Sequence, residues 1–150
     1  MKSAAAHETS GDPKHAVRAT RDAGRQMRSR LLDAASRQFK ERGLAAVSIA
    51  DIATAADAFP SQITYYFRTK EALFVEAACR DVLYVARAAE QHAGKQLSPH
   101  AYTRSLVQSV MGSDSLGFFI EAMNLTRRRQ DLVKRVVIPC GVFHAGEVRN

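Results

Sequence analysis

Four side chains in one short stretch, Ser61, Gln62, Thr64 and Tyr65, have the types and spacing to read a nucleic acid. A glutamine amide can pair with the edge of adenine through two hydrogen bonds, and a threonine methyl can meet the methyl of thymine. Charge supports this chemistry. The 150-residue chain carries 22 Lys and Arg against 15 Asp and Glu, a net +7. Residues 14–70 hold 11 basic and 5 acidic side chains, so most of the excess lies in the first half. Such a concentration is either a solvated basic face or an electrostatic footprint for a polyanion. Other chemistries find less support. There is no glycine-rich phosphate loop, no paired metal-ligand motif and no nucleophile elbow. The five histidines are scattered, and two cysteines, Cys79 and Cys140, are too few for a disulfide framework or a cysteine zinc site. No metal, cofactor or catalytic residue is expected. No apolar run is of membrane-spanning length and the N-terminus lacks a signal-peptide core, which points to a cytoplasmic protein.

Reading side chains need a rigid helix beneath them. Pro60 pre-sets the first turn of a short helix, because its missing N–H costs nothing there. Ile63 and Phe67, four residues apart, face inward and leave the four readers outside. Before it, Ser48 caps a helix whose Ile49, Ile52, Ala53 and Ala56 make a narrow apolar face, with Asp51 in the first turn. Asp57, Ala58 and Phe59 connect the two. The pair has the outline of a helix-turn-helix. An earlier helix is expected from Gln26 to Arg42, with Leu32, Ala35 and Phe39 on its buried face and Gly43 as its stop. Residues 1–24 read as a mobile polar arm. Thr69 can cap a long helix from Lys70 to Ala93, apolar on more than one face and ended by Gly94. Ser98-Pro99 opens a fifth helix to Met111, with Tyr102, Leu106 and Val110 along one side. Leu116, Phe119, Ile120 and Met123 mark a sixth, ending near Arg127–Arg129. Leu132 to Ile138 continues as helix or short strand. The expected fold is all-α.

Beyond spacing, the residues from Arg30 to Phe74 resemble the N-terminal domain of the TetR family of bacterial transcriptional regulators. Leu31-Leu32-Asp33-Ala34-Ala35 with Phe39 and Gly43 is similar to that family's first helix. Val47-Ser48-Ile49 with Asp51-Ile52-Ala53 is similar to its second, and Ile63-Thr64-Tyr65-Tyr66-Phe67 before Lys70-Glu71-Ala72-Leu73 to its recognition helix and the start of its fourth. Three positions depart from the pattern. Asp57 replaces the turn glycine, and Asp tolerates a left-handed conformation better than most residues. Phe59 stands where a serine often opens the recognition helix, and Thr64 where a tyrosine is usual.

The resemblance implies roles. Ser48 would offer its hydroxyl and the N-terminus of the second helix to a phosphate. Ser61 and Gln62, just behind Pro60, would approach bases. Thr64 and Tyr65 would touch phosphate or a thymine methyl, and Tyr66 would be half core and half backbone contact. Lys70 would pair with a phosphate, and Arg25 and Arg28 would reach phosphate or a minor groove from the arm. Residues 25–70 would form the DNA-binding domain. Residues 71–150 would form a helical regulatory and dimerisation domain, shorter than usual and so either built differently or truncated. Tyr84, Tyr102, Phe118, Phe119 and Met123, with Phe74, would line an apolar pocket or simply fill a core. The implied protein is a ligand-responsive repressor that binds a pseudo-palindromic site on double-stranded DNA as a homodimer, with a small-molecule effector of unidentified structure. Two alternatives stay open: a headpiece that binds DNA weakly or as a monomer, and, in a different class, a helical protein-interaction module or an enzyme.

Overall fold

In the computed structural model, which describes residues 13–93 and 98–136, apolar side chains from both halves of the chain meet in one cluster built on helices alone. The helices are α1 (Pro13–Ala46), α2 (Ile49–Ala55), α3 (Pro60–Phe67), α4 (Lys70–Ala93), α5 (Pro99–Met111) and α6 (Asp114–Arg128), followed by a 3-10 turn over Gln130–Leu132. No strand occurs among the described residues, so the fold class is all-α. No helix among them is long and apolar enough to cross a membrane.

Local chemistry accounts for most of the helix ends. Ser98 Oγ accepts from the Ala101 N–H, with Pro99 next to it in the first turn of α5. Thr69 Oγ1 accepts from the Ala72 N–H and opens α4. Gly43 breaks α1 as expected, at φ 78° and ψ 165°, and one further turn reaches Ala46. A Cβ built on Gly43 would meet nothing within 4 Å. Only conformation, not space, restricts that position.

Two expectations change. The first helix begins at Pro13, not near Gln26, so the arm expected over residues 1–24 is helical from Pro13 onward. Residues 14–20 are exposed all round. A solvated helix has no apolar period for a sequence reading to detect. Residues 1–12 lie outside the described residues, as do Gly94 and the stretch from Val137, including Cys140. Of the apolar residues that mark the sixth helix, Phe119 and Met123 pack against the core but Ile120 is exposed, and Ser115, Phe118, Ala122 and Thr126 are the buried ones. The small side chains at 115, 122 and 126 are buried in a helix that packs against α4, and Phe118 enters the core.

Helix α4 is the hub, packing against α1, α5 and α6. Its first turns are buried from Ala72 to Cys79. Phe39 of α1, Phe74 of α4 and Phe118 of α6 meet there. Phe74 stands edge-to-face on both partners, with ring centroids 5.0 Å from Phe39 and 4.9 Å from Phe118. This is the favoured geometry for aromatic pairs. The trio joins the first three helices to the second half of the chain.

Candidate nucleic-acid interface

Helix α2 starts on a complete capping box. Ser48 Oγ accepts from the Asp51 N–H at 3.1 Å, and Asp51 Oδ2 accepts from the Ser48 N–H at 2.9 Å. These bonds hold the Asp51 carboxyl below the usual carboxylate range. The Ser48 backbone N–H is the largest cause, the Ser48 hydroxyl the next, and the Arg42 guanidinium adds to them. The Ser48 side chain is exposed but already engaged.

The turn after α2 is left-handed at Asp57, φ 49°, the conformation its side chain was expected to tolerate. Arg30 holds this turn from α1. Its Nη2 donates to the Ala56 carbonyl at 2.6 Å and to the Asp57 carbonyl at 2.9 Å. Sequence reasoning missed this tie, because nothing local links residues 26 positions apart.

Helix α3 then carries the expected division. Ile63 and Phe67 are fully buried, while Pro60, Ser61, Thr64 and Tyr65 are exposed. Tyr66 is half-buried, its ring edge-on to Tyr65 at 5.0 Å and its hydroxyl so close to α1 that a Cβ on Gly24 would stand 3.4 Å from it. Thr64 Oγ1 lies 3.4 Å from the Pro60 carbonyl, toward which it donates. Gln62 is half-buried. Its Oε1 accepts from the Phe59 N–H at 2.9 Å and so caps its own helix. Phe59 has no side-chain acceptor, so this capping is one-sided. The bond engages one of the two Oε1 lone pairs and fixes the orientation of the amide, leaving the second lone pair and the Nε2 donors for other partners.

Two basic residues sit elsewhere than expected. Arg28 is not an arm residue reaching outward. Its guanidinium pairs with the carboxylate of Glu76 and lies 5.1 Å above the Phe67 ring. Glu76 is 1% exposed, and leaving it unpaired would be costly, which is the reason Arg28 turns inward. Arg135 completes the cluster, donating to the other Glu76 oxygen at 2.7 Å and to the Phe67 carbonyl at 3.3 Å. A lone acid inside the apolar run Ala72–Cys79 was the available signal for it. Lys70 also has a structural task. Its Nζ donates to the Leu44 carbonyl at 2.9 Å and the Val47 carbonyl at 3.0 Å, tying α4 to the α1–α2 connection. Arg25 lies on the surface and pairs with Asp22.

The five residues expected at an apolar pocket do not converge. Phe118 fills the core beside Phe39 and Phe74, and Phe119 and Met123 pack against that same cluster. Tyr84 is exposed, under the Arg80 guanidinium at 5.2 Å, in a polar groove with Asp33, Ser36 and Asp81. Tyr102 donates to Glu90 at 2.6 Å, which raises its pKa above the usual phenol value. The pocket reading gives way because Phe118 already fills core space and the two tyrosines are occupied in separate surface contacts.

The geometry is that of a helix-turn-helix braced from α1, α4 and the segment after α6. Residues 31–77 match the family model described as bacterial regulatory proteins, tetR family. Residues 99–147 match a second, described as bacterial transcriptional repressor C-terminal. The chain belongs to the TetR family. The two matches of this TetR chain together span more than half its length. It is also similar to a crystal structure described as a candidate transcriptional regulator from Rhodococcus sp. RHA1. Identity is 38% and the TM-score 0.64, over 80% of this chain and 63% of that one. The TetR chain thus spans less than two thirds of that relative. Among curated proteins none matches it.

Proposed function

We propose that this TetR-family chain is a cytoplasmic, non-enzymatic transcriptional regulator, a repressor that binds a pseudo-palindromic operator on double-stranded DNA as a homodimer. One observation carries the reading: α3 buries Ile63 and Phe67 while Pro60, Ser61, Thr64 and Tyr65 face solvent on a backbone braced from three sides. A helix held that way can enter the major groove as one rigid piece. Ser48 would lie against a phosphate at the start of α2, and Tyr66 would meet the backbone with its exposed edge. Lys70 would reach a phosphate with the N–H that its two carbonyls leave over. Control by a small-molecule effector rests on family likeness; it would act by shifting the population of DNA-competent conformations.

The test is selection of bound fragments from random double-stranded DNA at near-physiological salt. An enriched inverted repeat is expected. No enriched motif, with binding that disappears as salt rises, would overturn specific recognition and leave a basic surface that binds phosphates alone.

A further inference from the structure

Large apolar side chains that remain exposed are unevenly placed. The two most exposed among the described residues are Tyr65 at 76% and Phe59 at 75%, and both belong to α3 or its cap. A single exposed apolar residue needs no explanation. Two within one short outward-facing helix and its N-cap are different, and Phe59 has a further property. Its backbone is clamped. Its N–H donates to Gln62 Oε1 and its carbonyl accepts from the Gln62 N–H, both at 2.9 Å, with the φ-restricted Pro60 next in the chain. The ring is thus carried on a fixed stem beside Ser61, at the end of the helix where base-reading residues lie.

A phenyl ring has no donor or acceptor and cannot read a base edge by hydrogen bonding. The one apolar group in the major groove is the 5-methyl of thymine. We propose that Phe59 is a specificity-determining residue whose ring packs on a thymine methyl, and that Gln62 is its positioning residue through the Oε1 bond. This rests on the operator-binding reading above. It also reverses the expected division of labour, in which Gln62 itself reads adenine.

The test uses the full chain and the site enriched by selection. Each thymine is replaced in turn by uracil, which removes only the 5-methyl. At one thymine in each half-site, uracil should weaken binding of the unaltered protein about fourfold, the worth of one buried methyl. Phe59→Ala should bind thymine and uracil there equally. Gln62→Ala should also lose the discrimination, while Gln62→Glu, which keeps an acceptor for the Phe59 N–H, should retain it. A Gln62 that reads adenine and does not position Phe59 would leave the uracil penalty intact in both Gln62 variants, which would overturn its positioning role. Phe59 is exposed and makes no side-chain cap, so its alanine variant keeps the fold; the circular dichroism melt checks this. Uracil penalties identical in the unaltered protein and Phe59→Ala, on a site that is nevertheless enriched, would overturn the thymine assignment alone. Failure to enrich any site would overturn the operator reading beneath it.

Discussion

The Arg135 guanidinium lies 2.7 Å from the Glu76 carboxylate, joining a residue beyond α6 to the buried middle of the α1–α4 packing. Arg28 neutralises the same carboxylate from α1, and Arg135 also holds the last carbonyl of α3, that of Phe67. One buried anion thereby connects the recognition helix to α1 and to the last described residues of the chain.

Glu76→Gln should therefore be strongly destabilising. It leaves two guanidinium groups facing an uncharged amide in a largely dry site, for a loss of about 3 kcal/mol. Arg135→Gln should cost less, about 1 kcal/mol, because Arg28 still balances Glu76 and Arg135 is partly exposed. Urea denaturation of the two variants checks the order. Equal losses would mean that Arg28 does not share the charge.

Lys70→Met keeps the alkyl stem and removes both hydrogen bonds to Leu44 and Val47. We expect a loss of about 2 kcal/mol in folding stability, as for hydrogen bonds to a charged group. A residue serving only a DNA phosphate would leave the unfolding curve of the free protein unmoved.

Asp57 adopts φ 49°, which L side chains pay for and glycine does not. Asp57→Gly should be neutral or stabilising by up to about 1 kcal/mol, and Asp57→Val should lose about 1–2 kcal/mol. Arg30 keeps its bonds to the two main-chain oxygens in both variants, and both lose its 3.9 Å ion pair with the Asp57 carboxylate, so that loss cancels between them. Thermal denaturation of the pair isolates the backbone conformation.

The Asp51 carboxyl titrates below the usual range in the folded chain. The stability this contributes is fully present above the unfolded-state value, about 3.9, and is lost as pH falls through the lower folded value. Asp51→Asn should accordingly show a flatter decline of stability between pH 5 and the acid limit, scales set by the same carboxylate titration. Ser48→Ala should cost about 1 kcal/mol at neutral pH. It should raise the Asp51 value only part-way, because the Ser48 N–H, the larger cause, remains. Carbon-detected NMR titration of Asp51 reads that shift directly.

What could be read from the sequence was what local chemistry decides. Ser48, Pro60, Thr69 and the Ser98-Pro99 pair mark helix starts through bonds or ring constraints within four residues, and α2 to α5 begin where those residues stand. Gly43 and Asp57 signal backbone conformation in the same local way. The outward face of α3 followed from the burial of Ile63 and Phe67. Long-range partners were not legible. Whether Arg28 faces DNA or Glu76, 48 residues away, depends on how α1 crosses α4. Lys70 found carbonyls 23 and 26 residues back for the same reason. In α6 hydrophobicity marks the helix but not all of its buried side: Phe119 and Met123 pack against the core, Ile120 is exposed, and the small residues Ser115, Ala122 and Thr126 are buried.

The break at Gly43 has a consequence in stereochemistry. Its φ of 78° and ψ of 165° lie near the mirror image of ordinary extended backbone, and the volume where an L residue's methyl would sit is empty. The site therefore excludes hand, not bulk. D-alanine, introduced by joining a synthetic segment to an expressed one, would accept this φ and ψ without backbone strain and remove freedom from the unfolded chain. L-alanine, of identical size and composition, would strain the corner between α1 and the start of α2 by about 1–3 kcal/mol.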